Sequence, residues 1–124
     1  HEINAFVLKQ FFAKWEVKAT FVGNGQLALD ALREQSFDLV LMDLQMPVMD
    51  GYQTVQAIRS WPEKKFQSLP VVAVTADASK ETRDLLLKNG FDLFISKPFD
   101  PAALHHTLQT VRQHRFIARP DVSD

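Results

Sequence analysis

Asp43, Thr75 and Lys97 stand at or just past the ends of three apolar runs that are far apart in the chain. The first run lies in "LVLMDLQMPVMDG", Leu39 to Gly51, where five residues of strand character include Asp43 at the stop, Pro47 stiffens the loop behind it, and Asp50–Gly51 makes a turn pair. The second, "LPVVAVT", ends at Thr75, and the third, "LFI", is followed closely by Lys97. A carboxylate, a hydroxyl and an ammonium suit phosphoryl transfer if the fold brings them together. The carboxylate can act as nucleophile and become an aspartyl phosphate. Charge on the three transferred oxygens then needs nearby cations and donors. Lys97 supplies a point charge and Thr75 a hydroxyl. A hard cation such as Mg²⁺ would complete the set, and the loop after Asp43 offers it a backbone carbonyl, for example at Gln45. Singly, each residue has an ordinary reading: a cap or solvated acid, a strand-end cap, a surface charge. Jointly they define a phosphoryl or anion site.

The elements that must position them follow from periodicity. Between Ile3 and Trp15 the apolar residues Leu8, Phe11, Phe12 and Trp15 form a helix stripe. Val17 to Phe21 alternates and is β-rich, which predicts a strand, and Gly23–Gly25 predicts a turn. Leu27, Ala28, Ala31 and Leu32 make a helix face, and Leu39–Met42 a strand buried on both sides. Tyr52, Val55 and Ile58 mark a helix ended by Pro62, and Leu69–Thr75 is a second two-faced strand. Ser79 caps a helix through Leu87 that Asn89–Gly90 ends. Leu93–Ile95 is a short strand, and Asp100–Pro101 starts a helix carrying Leu104, Leu108 and Val111 on one face. Strands alternating with helices imply an α/β fold: a parallel sheet with helices on both faces and ligands beyond the strands' C-terminal ends. All three candidate residues fall on that rim.

Bulk properties narrow the class. The chain has 124 residues, nearly half of them apolar, with 10 Phe and 2 Trp, enough for one domain with a real core. A formal charge of −1 with no basic run argues against nucleic-acid binding. The absence of cysteine excludes disulfide and thiolate chemistry. No apolar run approaches a membrane span and no signal peptide is present, so a cytoplasmic domain without direct membrane contact is expected, from a parent that can itself be membrane-anchored.

The stretches "DLVLMDLQMPVMDGY" (Asp38 to Tyr52), "LPVVAVTADA" (Leu69 to Ala78) and "NGFDLFISKPFDPAAL" (Asn89 to Leu104) resemble the receiver domain of two-component response regulators. The resemblance runs over nearly all of residues 1–115 and leaves 116–124 as a tail or linker. It implies a flavodoxin-like fold with strand order 2-1-3-4-5. It implies that Asp43 accepts phosphate from a phosphohistidine, that Thr75 and Lys97 serve the transfer, and that the Lys97–Pro98 bond is cis. It makes Phe94 the aromatic switch position, and Asp43 with the Gln45 carbonyl ligands of Mg²⁺. A receiver in isolation is a phosphoacceptor with self-catalysed transfer and not a turnover enzyme. "LMDLQMPVMDGY" and the opening "HEIN" are most similar to receivers of hybrid histidine kinases, whose partners are a kinase histidine or a histidine-phosphotransfer domain. A homodimer is a further expectation, through the Ser79–Val111 face or the Phe-rich first helix (Phe6, Phe11, Phe12).

One departure from the family pattern stands out. The family opens with an apolar strand ending in an acidic pair that binds the metal, and its spacing puts that pair immediately before His1. The resemblance therefore implies an upstream strand and pair. In the chain as given, either another segment fills the slot between Val17–Phe21 and Leu39–Met42, or the sheet closes with four strands and no competent Mg²⁺ site.

Other readings fare less well. A haloacid-dehalogenase-type enzyme needs a second Asp two residues past the nucleophile, where Gln45 stands. A flavin carrier needs a Ser/Thr/Gly-rich loop after the first strand. A receiver-fold module that binds partners without phosphorylation, and the receiver of a stand-alone or DNA-binding regulator, stay as alternatives. His105, His106 and His114 lack metal-site spacing and read as ordinary surface residues.

Overall fold

The computed structural model describes residues 12–44, 48–98 and 100–114, without the side chains of 113 and 114. The described elements are α1 (Gly25–Glu34), β1 (Val40–Asp43), α2 (Gly51–Ser60), α3 (Lys64–Ser68), β2 (Val71–Thr75), α4 (Lys80–Lys88), β3 (Leu93–Ser96) and α5 (Pro101–His114). The three strands form one parallel sheet in the order β1-β2-β3. Parallel neighbours need crossover connections, and the helices supply them.

β2 is central and covered on both faces, as its unbroken apolar run requires. Val71 and Ala73 face a core built with Leu29 and Leu32 of α1, Val55 and Ile58 of α2, Phe66 of α3 and Leu86 of α4. Val72, on the opposite side, packs with Phe12, Ile95 and the α5 residues Leu104 and Val111. The stripe expected on α5 is therefore its core face, and Leu108 is half-buried beside it.

Helix boundaries follow local chemistry. Asn24 caps α1, Asp50 and Gln53 form a reciprocal capping box at α2, Ser79 caps α4, and Asp100 accepts the Ala103 N–H at the start of α5. Gly90 takes φ 102° where α4 ends at Asn89, a left-handed conformation suited to glycine.

Several sequence expectations need correction. Val17–Phe21 is not a strand, and it does not pair with β1. β propensity reports fit to a ladder, and among the described residues this segment has no ladder partner. The described sheet thus has three strands and not four. On α1 the inward face is Gly25, Leu29 and Leu32, while Leu27 is 47% exposed, because the apolar spacing fitted two neighbouring faces. α3 was missed, since five residues are too few for a periodic signal. β2 starts at Val71 because Pro70 has no N–H to donate. Most of the helix expected over Ile3–Trp15 lies outside the described residues, as do Phe6, Phe11 and the 116–124 tail; residues 12–14 are helical.

A buried charge pair braces the foot of the sheet. The Arg59 guanidinium donates to Gly90 O at 2.8 and 3.1 Å, to Phe66 O at 2.7 Å and to Asp92 Oδ2 at 3.1 Å. The same Asp92 oxygen accepts the Val71 N–H at 2.8 Å. The two side chains are only 12% and 4% exposed. Removing one partner leaves the other charge buried, so Arg59→Ala or Asp92→Ala is expected to cost about 3–5 kcal/mol in urea unfolding. A loss below about 1 kcal/mol, the range of surface pairs, would refute the bracing role.

Candidate functional site

β1 and β2 run in register, Asp43 opposite Val74, and β2 and β3 likewise, Thr75 opposite Ser96. The ladder continues past the strands: Leu44 N–H donates to Val74 O at 3.3 Å and Lys97 N–H to Thr75 O at 2.7 Å. Asp43, Thr75 and Lys97 therefore share the C-terminal rim. The Lys97 ammonium reaches over β2 and meets Asp43 Oδ2 at 2.9 Å. The Lys97–Pro98 peptide is cis.

The loop behind Asp43 folds back tightly. Gly51 N–H donates to Leu44 O at 3.1 Å, and a Cβ on Gly51 would lie 2.9 Å from both Asp43 O and Leu44 Cα. Only a residue without a side chain lets α2 begin that close to the strand end. The result is a hollow of about 600 Å³, lined in part by Asp43, Asp50, Tyr52, Thr75, Asp77, Thr82 and Lys97.

Thr75 is buried, and its hydroxyl is turned to its own loop: it accepts the Asp77 N–H at 3.0 Å and donates to Asp77 O at 3.3 Å. Both carboxylate oxygens of Asp77 are engaged, one by the Ser79 N–H at 2.9 Å and one by the Thr82 hydroxyl at 2.6 Å. Those bonds, Thr82 first and then Ser79, hold the Asp77 carboxyl below the ordinary aspartate range. Burial, and then the charges of Asp50 and Asp77, push the Tyr52 phenol up. Tyr52 also meets Phe91 edge-on, with ring centroids 5.9 Å apart.

Phe94 lies on β3 opposite Ala73, half-buried against the α1–α4 core. Gln45 and its carbonyl lie outside the described residues. His105 stacks on Trp15 at 4.6 Å and 16°, and His106 is exposed; neither lines the hollow. Sequence reasoning missed Asp77 and Thr82. The signal was available in "DASKET", where an acid precedes a Ser cap by two residues and a Thr follows the cap by three.

The donor set does not fit a magnesium ion by itself. Mg²⁺ takes six oxygens in a near-octahedral arrangement. Asp50 caps α2 through Oδ1, Asp77 is bonded through both oxygens, and no group of three or more His, Cys, Asp or Glu among the described residues could hold a metal.

The family model for the response regulator receiver domain matches residues 1–109. The chain belongs to that family. It is 38% identical over 102 residues to the sensor histidine kinase GacS of Pseudomonas protegens, covering 82% of this chain and 11% of that protein. It is 37% identical over 114 residues to the autoinducer 2 sensor kinase/phosphatase LuxQ of Vibrio vulnificus, covering 92% and 13%. The chain thus spans about an eighth of the length of these relatives. Among solved structures it is similar to the receiver domain of sensor histidine kinase PA1611 from Pseudomonas aeruginosa, described with magnesium in its active-site cleft (TM-score 0.74, 31% identity, 87% and 89% of the two chains). It is also similar to the Vibrio cholerae chemotaxis protein CheY4 (TM-score 0.78, 26% identity, 86% and 87%). These likenesses establish the flavodoxin-like receiver fold. No helix among the described residues of this receiver is long and apolar enough to cross a membrane.

The lowered Asp77 value fixes a pH dependence. A carboxyl depressed on folding adds stability that is complete above the ordinary aspartate value and is lost as pH falls through its lower folded value. A ¹³C titration of the Asp77 carboxyl is expected to give a midpoint below that of an unstructured aspartate, and Thr82→Val to raise it. A midpoint at the peptide value would show that the two bonds do not form in solution.

Proposed function

We propose that this receiver accepts a phosphoryl group from phosphohistidine on Asp43 and thereby switches partner binding, as one domain of a hybrid sensor histidine kinase. The carrying observation is the Lys97 ammonium 2.9 Å from Asp43 Oδ2 on the rim where the family matches. An Asp43 oxygen attacks phosphorus, a P–O bond forms, the P–N bond breaks with its electron pair going to the ring nitrogen, and the imidazole leaves neutral with the proton its other ring nitrogen already carried. Lys97 holds Asp43 in place and meets the transferred oxygens as their charge develops, and Thr75 offers its hydroxyl to one of them.

The 37–38% identity to segments of sensor kinases supports the hybrid context over a stand-alone or DNA-binding regulator. The expected partners are a kinase histidine or a histidine-phosphotransfer domain, in the cytoplasm. The domain does no turnover chemistry of its own. A magnesium ion at Asp43 needs ligands beyond the described residues: the Gln45 carbonyl and the acidic pair that the family pattern places before His1. The second reading is an interaction module that is never phosphorylated.

One experiment separates the two. Acetyl phosphate with magnesium is expected to add one phosphoryl mass to the native polypeptide, mapped to Asp43, and Asp43→Asn is expected to abolish it. Labelling that persists at the same rate in Asp43→Asn excludes Asp43, and no labelling of the wild type supports the second reading. Phosphorylation is further expected to bring Thr75 toward the phosphoryl group and seat Phe94 deeper, altering the face of α4, β3 and α5 by population shift. Amide shifts confined to the Asp43 loop would count against that output.

A further inference from the structure

We propose that the Thr82 hydroxyl is a latch that holds the receiver in its resting state by tying Asp77, and through it keeping the Thr75 hydroxyl bonded to its own loop instead of to a group on Asp43. The inference rests on Asp43 being the phosphoacceptor and adds the contact that opposes the switch.

The Thr75 hydroxyl can turn toward a phosphoryl group on Asp43 only by leaving the main chain of Asp77, or by taking Asp77 with it. Residue 77 is not free to follow. Its carboxylate is anchored to the first turn of α4 by the Ser79 N–H and the Thr82 hydroxyl. Thr82 is itself fixed, since its N–H donates to Ser79 Oγ and its oxygen accepts the Ser79 hydroxyl at 3.2 Å. The chain of contacts thus runs from the middle of the first α4 turn to the Thr75 hydroxyl, on the same rim as Asp43. The Thr82 bond, at 2.6 Å to an ionised oxygen, is of the strong charge-assisted kind. Thr75 is held to Asp77 by a long, weak bond to Asp77 O at 3.3 Å and by the Asp77 N–H at 3.0 Å, both neutral. The charge-assisted anchor fixes the residue to which Thr75 is bonded, and removing it loosens the loop without touching Asp43, Thr75 or Lys97. Thr82 and Asp77 both line the hollow, so the latch lies within reach of the group that must displace it.

Thr82→Val keeps the shape and removes the hydroxyl; Thr82→Ser keeps the hydroxyl. The native polypeptide is labelled with acetyl phosphate and magnesium chloride, and amide shifts at residues 75–77 are recorded before labelling. Loss of a hydrogen bond to a charged group moves a two-state equilibrium on the order of tenfold. Thr82→Val is therefore expected to label about tenfold faster at Asp43, with resting shifts displaced toward the phosphorylated positions, and Thr82→Ser to match the wild type. If Thr82→Val does not fold, as judged by circular dichroism, Asp77→Asn carries the same expectation, because it weakens the charged acceptor. Equal or slower labelling in a folded Thr82→Val, or a Thr82→Ser that behaves like it, overturns the latch alone. A wild type that does not label at Asp43 overturns the acceptor reading instead.

Discussion

The hydrogen-bond ladder of β2 is the constraint on which everything at the rim depends. β2 is bonded to β1 on one side and β3 on the other, in register from end to end. The separation of Asp43 from Lys97 is therefore set by two ladder spacings and not by loop conformation. Neighbouring parallel strands lie about 4.8 Å apart, so two strands away is roughly 10 Å across, and only a side chain of lysine length closes that gap. An arginine would reach as far but would present a wide fork where a compact point charge serves three equivalent oxygens. Each end of the sheet is thus tied by a charge pair: Lys97–Asp43 at the rim and Arg59–Asp92 at the foot.

The two pairs differ in kind. At the foot the guanidinium is buried, its bonds go to backbone carbonyls as well as to Asp92, and the carboxylate also satisfies a strand N–H. Such a network is rigid because removing any member strands another in a low-dielectric interior. At the rim Asp43 and Lys97 are 40% and 24% exposed, so water can replace either partner at small cost. That is the arrangement the proposed phosphoacceptor role asks of Asp43.

Much of this was legible in the sequence, and the failures have physical causes. The three strands, the two-faced burial of β2 and the rim placement of Asp43, Thr75 and Lys97 follow from apolar runs bounded by polar residues, a local signal; β1 and β3 each bury only one residue fully. The Ser79 and Asp100 caps were legible because capping is local too. Val17–Phe21 misled because propensity is local while a ladder is not. α1 misled because Leu27, Leu29 and Leu32 allow two overlapping faces, and only packing chooses between them. The Arg59–Asp92 brace was invisible, since its partners are 33 residues apart and neither residue type announces burial.

Rigid foot and lightly held rim together suggest where the fold can be bistable. α4 ends against the Arg59 cluster through the Gly90 carbonyl, while it begins in small, exposed polar contacts among Asp77, Ser79 and Thr82. A helix fixed at one end and held by a few hydrogen bonds at the other does not deform continuously; it keeps one set of contacts or exchanges it for another. On the proposed function, the set that would exchange is the one at the rim, and β3, which carries Phe94, starts beside the set that would not. Motion begun at Thr75 can thus reach the α4 and β3 surface without loosening the core beneath it.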